Sequence, residues 1–368
     1  MPNTTASIAS SQSPIILSRL LFAAHTGVSA STAGPYTEIQ TIRRDQFNDL
    51  AELANANHVV IRALDAALMM LRDAQDDERA QWVQTALNTE RARIDHAIPF
   101  LHTICAAFDE EGCDITVMKS LDHWPDLGSD LDLYTGADPK TVIQLMVRRF
   151  QAQLAPRSWG DRLACKWNFV IPGLPESVEI HMGRLGQTGE QITLASCIAA
   201  RSRSIRIGEY TFRVPSVSDR LMISTLQRMY RHFYFRLCDI MDTAELADAN
   251  AIDYSDLQAS ATSAGIWEGV ATYLVIVSDY VKQYRGTGFD LPRAITDAAR
   301  FGGEKVYFAR GFLRVPILPE SAALYGTQLT GLLRKRELHS SARLGLLPWL
   351  ATAAAVGQKI TGSDKSIW

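Results

Sequence analysis

The chain has 368 residues, of which 47% are apolar and 21% charged, with a formal net charge of −3. That length and composition suit a globular chain of two or three domains, and the near-neutral balance gives no global reason to expect nucleic acid or an anionic membrane as partner. Five scattered cysteines (Cys105, Cys113, Cys165, Cys197, Cys238), none in a C-x-x-C pair, argue against a disulfide framework or a cysteine zinc site and suit free thiols in a reducing cytosol.

Residues 1–36 are rich in Ser, Thr and Ala, with Arg19 their only charged side chain besides a neutral His25, and are expected to be disordered or loosely docked. They lack the basic start of a signal peptide, and Arg19 interrupts the apolar run Ile15 to Ala24. Residues 37–112 form an N-terminal helical region. Leu64, Ala67, Leu68 and Leu71 follow the spacing of one buried helix face. A second helix is expected from about Asn88 to Glu110, with Ile94, Ile98, Leu101 and Cys105 inward and Gly112 as its stop.

The texture changes over residues 113–215. Strands are expected at Cys113 to Met118, Asp130 to Tyr134, Lys166 to Ile171 and Ser177 to Met182. Asp138-Pro139 opens a helix reaching about Leu154, and Ile205 to Val214 around Gly208-Glu209 reads as a hairpin. In residues 216–285, a helical domain, Ser218 caps a long helix to about Asp248, followed by helix from Ser255 to Tyr284. Residues 286–368 form a mixed C-terminal extension. Its apolar stretch Leu344 to Val356 contains Pro348 and is too short to span a bilayer, so no membrane partner and a cytoplasmic location are expected.

The chemistry concentrates in Gly128-Ser129-Asp130-Leu131-Asp132-Leu133. Residues two apart on a strand share a face, so Asp130 and Asp132 point together while Leu131 and Leu133 pack behind. Two carboxylates on one face call for a cation, and a hard divalent ion such as Mg²⁺ takes carboxylate and phosphate oxygens. In Ser177-Val178-Glu179-Ile180-His181, Glu179 and His181 likewise share a face. If this strand lies beside the first, three acids converge on a site able to hold two metal ions. P-loop, dinucleotide-binding, nucleophile-elbow and zincin motifs are absent from the sequence.

Lys119-Ser120 after the first strand, Asp130 and Asp132, Val178-Glu179-Ile180-His181, and His232, Arg236 and Asp239 downstream together resemble a bacterial family of uncharacterised nucleotidyltransferases within the DNA polymerase beta superfamily. The resemblance covers about residues 90–275. It implies an α+β fold: a polymerase beta-like core, a small mixed sheet with flanking helices, between N- and C-terminal helical regions. It implies Mg²⁺ (or Mn²⁺) on Asp130, Asp132 and Glu179. Lys119, Ser120, Ser129, His181, Arg228, His232, Arg236 and Asp239 would contact the nucleotide or support its site. The family's glycine after the lysine is Ser120 here, a change that bears on phosphate approach.

The implied reaction moves a nucleotidyl group from an NTP, ATP first, to an acceptor deprotonated near Glu179: an RNA end, a protein or peptide side chain, or a small molecule. The alternatives are an Asp-x-Asp glycosyltransferase, disfavoured by some 110 preceding residues of helix, and a non-catalytic nucleotide-binding protein on the same scaffold. Arg228, His232, Arg236 and Asp239 are expected on one helix face closing over the site, with an Arg236–Asp239 pair as the plain structural reading. Met229, Phe233, Leu237 and Ile240 form the opposing apolar stripe. Residues 300–345 hold eight Lys/Arg against three acids, a run that is either a solvated face or a site for an anionic acceptor such as RNA.

Overall fold

A computed structural model describes residues 5–26, 35–347 and 349. It is a mixed α+β fold, mostly helical, with small sheets. The first helices are α1 (Thr5–Thr26), α2 (Pro35–Gln40), α3 (Arg44–Ala56), α4 (Val60–Asp73) and α5 (Asp77–Glu110). The expected disorder of residues 1–36 is corrected where the chain is described. Leu17, Leu20, Leu21 and Phe22 are at most 2% exposed. Ser18 Oγ lies 2.6 Å from the Tyr280 hydroxyl, and Phe22 stacks on Tyr284 at 5.5 Å. The 17, 20, 21 spacing is that of a helix face, and the shortage of charge reflects burial rather than disorder. The core positions expected on α4 and α5 are buried, but α5 begins eleven residues earlier than Asn88, capped by Asp76, which accepts the Arg79 N–H at 3.1 Å. Gly112 follows α5 with φ +67°.

The central elements are β1 (Thr116–Val117), β2 (Asp130–Thr135), α6 (Pro139–Phe150), β3 (Gln153–Leu154), α7 (Trp159–Leu163), β4 (Lys166–Val170) and β5 (Ser177–Met182). The five strands form one sheet in the order β1-β2-β5-β4-β3. Only β2 and β5 run parallel, and their register sets Asp130 against Ser177 and Asp132 against Glu179. Leu131, Leu133, Val178 and Ile180 are fully buried behind them, as alternation requires. The helix expected to reach Leu154 stops at Phe150, where Gln151 turns left-handed (φ 52°), and the chain returns as the edge strand β3. After α8 (Ile192–Ile198), the hairpin of β6 (Arg203–Ile207) and β7 (Tyr210–Val214) turns at Gly208.

The long helix expected from Ser218 to Asp248 is not continuous. Ser216, not Ser218, caps α9 (Val217–Thr225), accepting the Asp219 N–H at 3.2 Å. The helix widens into a π-helical turn over Leu226–His232 and ends at Phe233, which is left-handed at φ 55°. Tyr234–Phe235 is a short strand, β8, and a new helix, α10 (Leu237–Asp248), starts after Arg236. Tyr-Phe pairs prefer strands, and β8 has a partner in β10 (Phe312–Arg314), which also pairs with β9 (Tyr307–Ala309). Arg228, His232, Arg236 and Asp239 therefore do not share a helix face, nor do Met229, Phe233, Leu237 and Ile240 form one stripe.

Next come α11 (Tyr254–Ala264), α12 (Trp267–Arg285), α13 (Arg293–Ala298), α14 (Ala322–Arg334) and α15 (Leu338–Gly345). One cluster of buried apolar side chains runs from Leu17 to Leu324, crossing the boundaries expected at residues 36, 112, 215 and 285. No helix among the described residues is long and apolar enough to cross a membrane. The apolar stretch to Val356 lies largely outside the described residues.

Glu190 is a carboxylate 1% exposed, accepting the Thr188 N–H at 2.9 Å and the Thr188 hydroxyl at 3.1 Å. Burial raises its pKa, with those hydrogen bonds only partly opposing. The folded chain thus holds this proton to higher pH than the unfolded chain does, so its ionisation costs stability as pH rises above the ordinary glutamate value. Glu190→Gln is expected to flatten the fall in melting temperature between about pH 5 and 7. A variant with the wild-type pH profile would show that Glu190 carries no such penalty.

Candidate active site

A cleft of about 200 Å³ opens over the β2–β5 pair, lined on the sheet side by Lys119, Ser120, Ser129, Asp130, Asp132, Lys166 and Glu179. Gln227, Arg228, Arg231, His232, Tyr234 and Arg236 form the opposite wall, and His58 and His123 close one end. Of the residues expected from sequence, all but His181 and Asp239 line this cleft. His181 borders a smaller adjoining cavity, and Asp239 lies behind the wall.

The tightest grouping is Asp132, Glu179 and His181, whose ligand atoms lie within 4.8 Å of one another. Asp130 shares the face but sits one step along. Its Oδ1 accepts the Ser177 hydroxyl at 2.7 Å, and no cation pairs with it among the described residues. The acids are balanced by lysines. The Lys119 ammonium contacts Asp132 Oδ1 and lies 3.7 Å from Glu179 Oε1. Lys166 bridges Glu179 Oε2 at 2.8 Å and Asp161 at 3.0 Å. Burial would raise Glu179, but Lys119, His181 and Lys166 hold it well below the usual carboxylate range. Burial raises Asp132, with Lys119 opposing and Glu179 adding to the shift. His181 is lowered by burial to about 4, so it is neutral, and its Nε2 meets Glu179 Oε1 at 2.9 Å.

These residues fit a divalent ion. Asp132 and Glu179 converge on a place already occupied by positive charge, the Lys119 ammonium, which an ion would displace. Oxygen donors suit Mg²⁺, and the His181 imidazole makes Mn²⁺ an equal candidate.

Lys119 is left-handed (φ 56°), which belongs to the tight turn after β1. Ser120, 1% exposed, does not offer its hydroxyl to the cleft. Its Oγ donates to the Asp130 carbonyl at 3.1 Å and accepts the Asp132 N–H at 2.8 Å. This serine pins the start of β2 to the turn. Ser120→Ala is expected to cost about 1–2 kcal/mol in urea unfolding, since it orphans a buried N–H. A loss below about 0.5 kcal/mol would show the pin to be idle.

On the far wall, Arg228 rather than Arg236 pairs with Asp239, at 2.6 Å, with both side chains 2% exposed. Arg228 Nη1 has no hydrogen-bond partner among the described residues. Arg236 caps α10 through its backbone, its N–H donating to Asp239 Oδ2 at 2.7 Å, and its side chain lines the cleft with Nη1 3.5 Å from His58 Nδ1. Burial, with Arg231 and Arg228 nearby, holds His232 well below its usual pKa, leaving it neutral.

The structure adds His58, His123, Lys166, Gln227, Arg231 and Tyr234 to the cleft. His232 was expected in the wall, but Arg231 was not, because the π-turn that aims it has no sequence signature. His58 stands in the turn between α3 and α4, 72 residues before Asp130, with nothing local to mark it. Five of the eight basic residues in 300–345 are engaged within the chain. Arg300 pairs with Glu268 at 2.7 Å and Lys305 with Glu320 at 3.7 Å. Arg314 donates to Ala309 O, Lys335 to Thr262 O, and Arg343 to Thr188 O. The charge free for an anionic partner is smaller than the sequence count suggests.

Compared with known proteins, the chain matches no family model and no curated relative, so the reading of the cleft rests on its geometry.

Proposed function

We infer that the cleft transfers a nucleotidyl group from an NTP, ATP first, to an acceptor hydroxyl. The observation that carries this reading is Asp132 beside Glu179 on adjacent parallel strands, facing a wall of Arg228, Arg231 and Arg236. Divalent ions held there would neutralise the phosphates and polarise the α-phosphoryl group. The three arginines and Lys119 are placed to take the triphosphate charge. The acceptor oxygen forms a bond to the α-phosphorus, the bond to the α–β bridging oxygen breaks, and pyrophosphate leaves. Asp130, with no cation on it, is better placed than Glu179 to take the acceptor's proton, because Glu179 is committed to two lysines.

One observation favours a second reading. Lys119 and Lys166 balance the acids without any ion, as a nucleotide-binding protein with no activity would also require. Incubation with labelled ATP and Mg²⁺ or Mn²⁺, scored for pyrophosphate and labelled product, separates the two. Metal-dependent release supports transfer. Saturable ATP binding without release supports the binding protein, and neither overturns both.

A further inference from the structure

A second group of ligand atoms meets at the end of the same cleft. His58 from the turn before α4, His123 from the loop between β1 and β2, and Cys238 from the first turn of α10 bring ligand atoms within 4.8 Å of one another. Cys238 Sγ is 3.7 Å from His123 Nε2. A tetrahedral zinc ion, with Zn–S about 2.3 Å and Zn–N about 2.0–2.1 Å, places its sulfur and nitrogen ligands about 3.6 Å apart. The Cys238–His123 pair already has about that spacing, and the His58 ligand atom lies within 4.8 Å of both.

The support behind these atoms is built as metal-bound histidines require. His123 Nδ1 contacts the Asp242 carboxylate, and Asp242 Oδ1 accepts from Arg62 Nη1 at 2.8 Å. Arg62 also holds Asp126 at 3.0 Å, and Asp126 Oδ1 accepts the Ile61 N–H at 2.6 Å, next to the His58 turn. This chain fixes the His123 ring with Nε2 toward Cys238, the carboxylate–histidine arrangement that orients a ligand and raises its basicity. His58 Nδ1 lies 3.5 Å from Arg236 Nη1, a long contact that a ligand role for that nitrogen would have to displace, while Nε2 is the other candidate donor atom. Without a metal, the same convergence would be a Cys238–His123 hydrogen bond beside an edge contact between the His58 and His123 rings, and the metal test below separates the two.

We propose that His58, His123 and Cys238 bind a zinc ion whose fourth position opens into the cleft. Two imidazoles and one thiolate form a softer set than the nearby acids and select a different metal. His58 and His123 both line the cleft, so the open position faces the space assigned above to nucleotide and acceptor. The inference does not depend on nucleotidyl transfer, because metal binding is read directly.

The test is metal content and cobalt substitution on the full chain. Protein stripped of metal and re-equilibrated with Zn²⁺ should retain one equivalent that survives desalting. Co²⁺ in its place should show a thiolate-to-cobalt charge-transfer band. Cys238→Ser, nearly isosteric, should remove the band and weaken zinc binding at least about tenfold, and His58→Ala should weaken it similarly. Asp132→Asn should leave the band intact. Circular dichroism of the metal-free variants shows whether each folds, and if Cys238→Ser does not, His58→Ala decides. Absence of a cobalt–thiolate band in the wild type overturns the proposal. So does zinc affinity unchanged in folded Cys238→Ser or His58→Ala, or lost with Asp132→Asn instead.

Discussion

Asp132→Asn is expected to lower metal-dependent pyrophosphate release by at least about a hundredfold, on the scale of losing one well-placed electrostatic group in a buried site. Asp132 stands opposite Glu179 in the parallel register and belongs to the tight ligand group, so its charge is the one an ion would bridge. The fold should survive. Asparagine keeps the shape, and Lys119 retains Glu179 within 3.7 Å. Removing one of two adjacent carboxylates also relieves their repulsion. Activity within tenfold of wild type in a folded variant would remove Asp132 from the chemistry and with it the nucleotidyltransferase reading.

The largest stability effect is expected at Arg228. Arg228→Ala leaves the Asp239 carboxylate buried with the Arg236 N–H as its remaining support, an orphaned charge that costs about 3–5 kcal/mol. Both partners are 2% exposed, and Arg228 Cζ also lies 5.7 Å from the Tyr234 ring centroid, so the substitution opens a void as well. Urea unfolding measures the loss. A drop under about 1 kcal/mol would mean that Asp239 finds another partner or a proton. Arg236→Ala should be milder for stability, because Arg236 contributes to the cap through its backbone, and stronger in its relative effect on ATP binding.

Local pattern carried much of the site. The alternation through Asp130–Leu133 and Val178–His181 was enough to place Asp130, Asp132, Glu179 and His181 on one face of two strands, because a half-buried strand constrains every second residue. Nothing local stated that the two strands are parallel neighbours: β4 lies between them in sequence but pairs on the far side of β5. Arg228, His232 and Arg236 do line the cleft as expected, but the single helix carrying them was misread for an opposite reason. Helical periodicity continues through residues 226–240, and the break depends on a strand partner some 78 residues later, Phe235 against Leu313. Residues 1–36 misled because low charge without long apolar runs fits both disorder and a helix with a buried face, and only Tyr280 and Tyr284, far along the chain, decide between them. His58, His123 and Cys238 lie 65 and 115 residues apart in sequence, so no spacing rule could join them.

The π-helical turn at Leu226–His232 has a consequence for how this chain tolerates length change. Such a turn accommodates one residue more than an α-helix would in the same rise. A deletion of one residue within it would let the segment wind as a regular α-helix while the chain beyond keeps its place, so that β8 could still meet β10 in the same register. The residues inside the turn would be re-aimed, and Arg231 and His232 are among them, so their direction into the cleft depends on the wider winding. A change of length after the turn, between Phe233 and Arg236, would instead exchange the faces of β8, since a strand shifted by one residue inverts. The wall is therefore set by residue count as much as by residue identity.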